Sequence, residues 1–290
     1  NAAGVSGIEA VSIVNAAAGG AITQAAGAFS VDTYSIGDTN NQNVTLSGLT
    51  DEAVSFVATS TGTDTLTLAA DTVADSGTFN IGASAAGVTI TAISAANYET
   101  LTINSSGGAN TITTLTANDI TSLTVTGSTA LTITNAIASA TGLATIDAST
   151  MTKAVSINAS NSTGAVTFTG GSGGDTITSG AGNDTLTGGS GNDTLTAGNG
   201  TNTITGGAGD NTLTGGTGID TITSGDGADT IDSGAGNDTI NSGGGNDTLT
   251  FDTDADLNAN DTVDAGAGTD AAAITIATAL ATPFTLTNVE

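Results

Sequence analysis

Aspartate recurs at a fixed interval in the second half of this chain, at Asp175, Asp184 and Asp193 and again at Asp220, Asp229, Asp238 and Asp247. Each is the sixth residue of a nine-residue repeat, Gly-Gly-x-Gly-x-Asp-x-apolar-x, and nine such repeats run from Gly170 to Thr250 without an insertion. A carboxylate beside a glycine-rich bend offers oxygen donors only: its own two, and the peptide carbonyls that glycine leaves uncovered. With no Cys and no His in the 290 residues, soft and borderline metals lose their preferred ligands and the donor set selects a hard cation. Many carbonyls in loose geometry favour Ca²⁺ over Mg²⁺, which demands a tight octahedron.

Something must hold those carboxylates in place. The first six positions of a repeat supply a tight turn, and the last three alternate polar, apolar, polar like a short strand. Two repeats complete one coil of a parallel β-helix, so that Ile177, Leu186, Leu195, Ile204, Leu213, Ile222, Ile231, Ile240 and Leu249 alternate between two sheets and meet inside. Residues 18 apart then stand on one side, a single rung of about 4.8 Å away, which sets Asp175 against Asp193 and Asp220 against Asp238. Two such charges repel by about 3.5 kcal/mol at an effective dielectric near 20, and by about 0.9 kcal/mol in bulk water. A dication between the turns reverses the sign.

The block from 170 to 250 resembles the calcium-binding repeats of RTX proteins, and the wider chain resembles bacterial surface-layer and large secreted RTX proteins in style. That resemblance implies a parallel β-roll with several bound Ca²⁺ ions, folded after export by a type I secretion system. It places the aspartate ligands on Asp175, Asp184, Asp193, Asp220, Asp229, Asp238 and Asp247. It also places turn glycines of the metal sites at Gly171, Gly173, Gly180, Gly182, Gly189, Gly191, Gly216, Gly218, Gly225, Gly227, Gly234, Gly236, Gly243 and Gly245. The pattern departs at Asn202 and Asn211, where consecutive repeats carry a neutral amide. Calcium binding is expected to be weakest there, with the amides stacked as a hydrogen-bonded ladder. Asp210, Asp226 and Asp232 fall off the ligand position and read as a solvated outer face.

Upstream, Val88-Thr-Ile90, Leu101-Thr-Ile103, Leu123-Thr-Val125, Leu131-Thr-Ile133, Val155-Ser-Ile157 and Val166-Thr-Phe168 read as strands. The step from Phe168 to Ile177 already has the repeat length, so residues 81–169 are expected to form a β-solenoid without metal ligands. Residues 1–80 read as a β-rich module, for which a sandwich-like arrangement is one reading, with the small-residue stretches Asn15 to Ala26 and Ala69 to Ala74 as short helices. Residues 251–290 read as a degenerate turn, with Ala272 where a large apolar residue belongs, and a capping segment. Asp252, Asp254 and Asp256 alternate within it, fitting either a further calcium site or a solvated edge that blocks aggregation. Val5 to Ile13 could continue the closing Leu286 to Glu290, which points to a longer tandem protein. The chain shows neither a leader nor an 18-residue apolar run.

The net charge of −27, with Lys153 the only base, argues against nucleic acid and anionic membrane as direct partners and makes cations the natural ones. Without His or Cys, thiol chemistry, His-dependent triads and zinc sites of the His-Glu-x-x-His type are excluded, and the absence of Trp weighs against sugar cleavage by paired carboxylates. The expected role is a non-enzymatic, extracellular structural protein of the bacterial cell surface. In that role the chain is a surface-layer or fibre subunit that associates with its own copies into a lattice or filament. The alternative is the repeat region of a secreted adhesin or exoenzyme. Either role predicts that residues 170–250 show disordered far-UV circular dichroism without calcium and β signal with millimolar Ca²⁺, far more than with equal Mg²⁺. Equal responses to the two ions would remove the metal from this account.

Overall fold

A computed structural model describes residues 76–82, 87–96, 98–138, 140–251, 257, 260–274 and 285–289, together with six strands within the first 68 residues. Every strand in it is parallel to its partners and pairs with the strand two places along the chain, so that alternate strands fall in alternate sheets. This is an all-β parallel β-solenoid, and no helix occurs among the described residues. The chain divides into two compact units, residues 1–147 with 156–161, and residues 148–155 with 162–290.

In the first unit one sheet runs Ala10–Ile13, Thr33–Ile36, Ala53–Phe56, Ser76–Ile81, Thr100–Ser105, Ser122–Gly127 and Thr145–Asp147. The other runs Ile22–Ala25, Val44–Leu49, Ser60–Leu68, Thr89–Ala96, Asn110–Thr116 and Leu131–Ile133. The sandwich-like reading of residues 1–80 is therefore replaced by solenoid pairing, because Val54 lies opposite Phe79 in a parallel ladder whereas a sandwich is built of antiparallel strands. Ile22–Ala25 is a strand rather than part of a helix, and it pairs in register with Val44 to Ser47. The rest of that stretch, 15–21 and 26, and the stretch 69–74 lie outside the described residues. Strands here bury two apolar side chains each where the pattern is complete, as Leu101 and Ile103 or Leu123 and Val125 do. Phe79 and Tyr98 add an edge-to-face ring pair at 5.9 Å.

The second unit is leaner. One sheet stacks Leu186, Ile204, Ile222, Ile240 and Val263, and the other stacks Ile177, Leu195, Leu213, Ile231 and Leu249. All of them are buried. The expected alternation holds, and Thr at the seventh and ninth positions faces outward on both sheets, as Thr185 and Thr187 do on either side of Leu186. In several coils the ladder continues past the predicted strand through the first glycines of the next repeat, since Gly189 pairs with Gly207 and Gly198 with Gly216. Coils are 18 residues long until Ile240 and Leu249, after which the step becomes 23 residues. Ala272 takes the place of the large residue opposite Leu249.

One aliphatic side chain per strand carries this core, so removing one should be felt. Leu195→Ala, between Ile177 and Leu213, should lower the stability of the calcium-loaded protein by roughly 2–5 kcal/mol. The outward Thr212→Ala should stay within about 0.5 kcal/mol. Denaturant unfolding in calcium measures both, and equal effects would contradict the assignment of inward and outward positions.

Candidate metal centre

The sixth residue of each repeat begins the inward alternation of its strand, so Asp, the apolar residue and the first residue of the next repeat all point to the interior. Asp175, Asp184, Asp193, Asp220, Asp229, Asp238 and Asp247 are accordingly all buried, none more than 1% exposed. Charged side chains are almost never so buried unless something compensates them.

Half of that compensation is visible. Each Oδ1 accepts the backbone N–H of the corresponding residue one coil earlier, which ties the aspartates into two files. In the first file Asp175 donates to Asp193 (2.6 Å), Asp193 to Asn211 (3.0 Å), Asn211 to Asp229 (2.7 Å) and Asp229 to Asp247 (2.9 Å). In the second, Asp184 donates to Asn202, Asn202 to Asp220 and Asp220 to Asp238, each at 2.9 Å. Val155 and Val166 donate to Asp175 and Asp184 at the start of the files.

The other half is missing. The Oδ2 atoms of Asp184, Asp193, Asp220, Asp229, Asp238 and Asp247 are buried without a hydrogen-bond partner, whereas that of Asp175 accepts the Gly171 N–H at 3.0 Å. Ser233 Oγ lies near enough to act electrostatically on the Asp238 carboxyl but outside hydrogen-bond geometry. The first residue of the repeat is small because this oxygen lies over it: a Cβ on Gly170 or Gly215 would sit 2.6 Å from Oδ2 of Asp175 or Asp220. Among the described residues no three acidic side chains converge, so further donors to a cation there would be peptide or hydroxyl oxygens. The buried, anionic, unpartnered oxygens and the glycine cradles fit Ca²⁺ in charge and in hardness.

Of the predicted glycines, Gly182, Gly189, Gly191, Gly216, Gly218, Gly225, Gly227, Gly234, Gly243 and Gly245 adopt positive φ, and Gly171, Gly173, Gly180 and Gly236 do not. At Gly191, with φ 108°, a Cβ would also stand 2.7 Å from Gly173 O in the coil before. Stacking of coils, as much as turn geometry, therefore excludes a side chain there. Asp210 makes more than a solvated edge, because its Oδ1 accepts the Ala228 N–H at 2.8 Å on the outer corner, while Asp232 accepts that of Gly234.

Sequence reasoning missed Asp261 and Asp270. Asp238 donates to Asp261 Oδ1 at 2.7 Å and Asp247 to Asp270 Oδ1 at 2.8 Å, so both files run one coil further, and Asp270 Oδ2 is again buried and unpartnered. The signal was present in Asp261-Thr-Val263, which repeats Asp-Thr-apolar, and in Gly266-x-Gly268-x-Asp270. The longer final coil hid it by breaking the nine-residue count. Asp252, Asp254 and Asp256 lie outside the described residues.

Residues 162–257 match the RTX calcium-binding nonapeptide repeat family in six overlapping segments, 162–186, 169–204, 187–222, 205–240, 214–249 and 223–257. This part of the chain thus carries RTX calcium-binding nonapeptide repeats, a class whose turns bind calcium. Neither the curated proteins nor the solved structures gave a match to the chain.

Burial raises the carboxyl groups of Asp193 and Asp238 from the ordinary 3.8 to about 6, against the backbone N–H groups that Asp175 and Asp220 donate to them. Burial also raises Asp175, Asp220 and Asp247. A carboxyl raised in the folded state favours folding fully below its unfolded value near 3.8 and loses that contribution as pH rises through about 6. In chelator, acidification from neutral pH through that window should therefore restore β signal to the metal-free roll, while apparent calcium affinity should fall as protons compete. Circular dichroism at graded pH measures the first, and a signal that is flat or falls on acidification would contradict the buried charge.

Proposed function

We propose that this chain is a calcium-dependent structural element of a secreted RTX-type protein, acting at the bacterial cell surface as a surface-layer or fibre subunit that associates with its own copies. The observation that carries this reading is the double file of buried carboxylates whose second oxygens have no partner in the protein. When bound, Ca²⁺ supplies the opposite charge that each file lacks and joins one coil to the next.

The proposed ligands are the Oδ2 atoms of Asp175, Asp184, Asp193, Asp220, Asp229, Asp238 and Asp247, with peptide oxygens of the turn glycines in the second and fourth positions. The Oδ1 ladder keeps each carboxylate pointed inward, so the chain itself orients the donors before a metal arrives. A coil with one aliphatic side chain per strand gains rigidity through such a clamp that burial alone does not give it. Support for a passive rather than catalytic role comes from the absence of His and Cys and from the use of the buried acids in the ladder. RTX repeats are typical of secreted proteins, which meet millimolar calcium outside the cell, and no helix among the described residues is long and apolar enough to cross a membrane.

The second reading, the repeat region of a secreted adhesin or exoenzyme that aids type I secretion and calcium-triggered folding, is favoured by one observation: the repeat match stops at residue 257 and starts at 162. Electron microscopy of the protein in millimolar calcium separates the two. Lattices or filaments that dissolve on adding a chelator are the expected result, and a dispersed monomer at every calcium concentration would overturn the self-association.

A further inference from the structure

Asn202 and Asn211 sit in the two carboxylate files at consecutive repeats, one in each file, and both are buried. Their Oδ1 atoms do what the aspartate Oδ1 does, accepting the N–H of Asp184 at 2.9 Å and of Asp193 at 3.0 Å. Their second atoms differ. Asn211 Nδ2 donates to Gly209 O at 2.8 Å and Asn202 Nδ2 to Gly200 O at 3.4 Å, in each case the fourth-position glycine of the same turn. The corresponding atom of Asp184, Asp193, Asp220 and Asp229 is the unpartnered oxygen. In these two turns an N–H thus stands where the neighbouring turns present a bare anionic oxygen.

The amides cannot turn over to offer their oxygen to a cation. A flip would set the NH₂ group against the N–H of Asp184 or Asp193, donor against donor, and leave the glycine carbonyl facing an oxygen. A backbone donor on one side and a carbonyl on the other hold the orientation. The first unit uses the same device in a coil without aspartate: Asn110 Oδ1 accepts the Val88 N–H at 2.7 Å, and its Nδ2 donates to Ile81 O and Ser106 O at 3.0 Å each. A buried amide at this place closes a coil by hydrogen bonds alone.

From this geometry we infer that Asn202 and Asn211 form a metal-free girdle that divides the roll into two separately loading calcium blocks. The inference rests on the calcium reading above. The N-terminal block holds Asp175, Asp184 and Asp193. The C-terminal block holds Asp220, Asp229, Asp238 and Asp247 and extends through Asp261 and Asp270, past the end of the repeat match at residue 257. In a solenoid each coil couples only to its neighbours, and because the two amides occupy adjacent repeats, both files are interrupted at one cross-section. No ion shared between rungs crosses it. The N-terminal block is also the weaker: Asp175 already has both carboxylate oxygens hydrogen-bonded.

Calcium titration of the full chain, followed by calorimetry and by far-UV circular dichroism, tests this. The wild-type protein should load in two resolved steps. The double variant Asn202→Asp with Asn211→Asp should bind more calcium per chain and merge the steps into one, while losing β signal in chelator relative to wild type. Asp220→Asn widens the girdle and should bind less calcium while keeping the calcium-loaded β signal, because the amide replaces the missing ion with a hydrogen bond. This variant reads the inference even if the double variant fails to fold. Wild-type loading in a single step, with stoichiometry unchanged in both variants, would overturn the girdle and leave the calcium reading intact. No calcium binding by the wild-type protein would overturn both.

Discussion

A buried carboxylate with only one of its two oxygens satisfied is the constraint on which the second half of this protein depends. The Oδ1 atoms are committed to backbone N–H groups of the preceding coil in unbroken files. Except at Asp175, where Gly171 donates to it, Oδ2 is buried without a hydrogen-bond partner. Neighbouring carboxylates stand about one rung apart, where like charges repel by a few kcal/mol at the effective dielectric of a protein interior. Neither a bare anion nor a file of them is tolerated in such a place, so the coil must take up protons or cations. The raised carboxyl groups of Asp193 and Asp238 express the first outcome and the RTX repeat class the second.

The two compact units solve the problem of a thin solenoid in different ways. Coils of the first unit vary in length, from a step of 20 residues between Thr33 and Ala53 to one of 29 between Leu66 and Ala95, with 22 from Val88 to Asn110. They bury paired apolar residues such as Leu101 with Ile103, helped by rings at Phe79 and Tyr98. That core carries itself, and where it needs a polar clamp it uses the fully satisfied amide of Asn110. Coils of the second unit take 18 residues as far as Ile240 and Leu249, and there keep one aliphatic side chain per strand, with Asp or Asn and a small residue in the other inward places. At Gly170, Gly188 and Gly215 a side chain would run into the carboxylate that lies over it. In the proposed function stability passes from apolar contact to a bound ion, which would make this half of the chain responsive to its surroundings.

Much of this was legible in the repeat. A nine-residue register with a large aliphatic residue at the eighth place specifies both the inward stacks and the aspartate files, and Ile177 through Leu249 are buried as that register requires. Beyond it the pattern weakened. The longer final coil shifted the count, so Asp261 and Asp270 were read as parts of a cap although their side chains continue the ladder. The strands before residue 80 carry no fixed period, and without one the parallel pairing of Val54 with Phe79 could not be told from a sandwich. Composition also hid the division of labour within a carboxylate: residue type announces two acceptor oxygens, but only the coil stacking commits one to the backbone. The same stacking fixes the amides of Asn202 and Asn211, whose role as hydrogen-bonded rungs the sequence suggested without revealing why they cannot turn over.

Metal location is the most direct test. A crystal structure of the calcium-loaded protein with anomalous scattering should show ions against Oδ2 of Asp220, Asp229, Asp238 and Asp247, each also touching peptide oxygens of the glycine turns, and none beside Asn202 or Asn211. Well-formed turns in saturating calcium, with no anomalous peak at any of these carboxylates, would contradict the account.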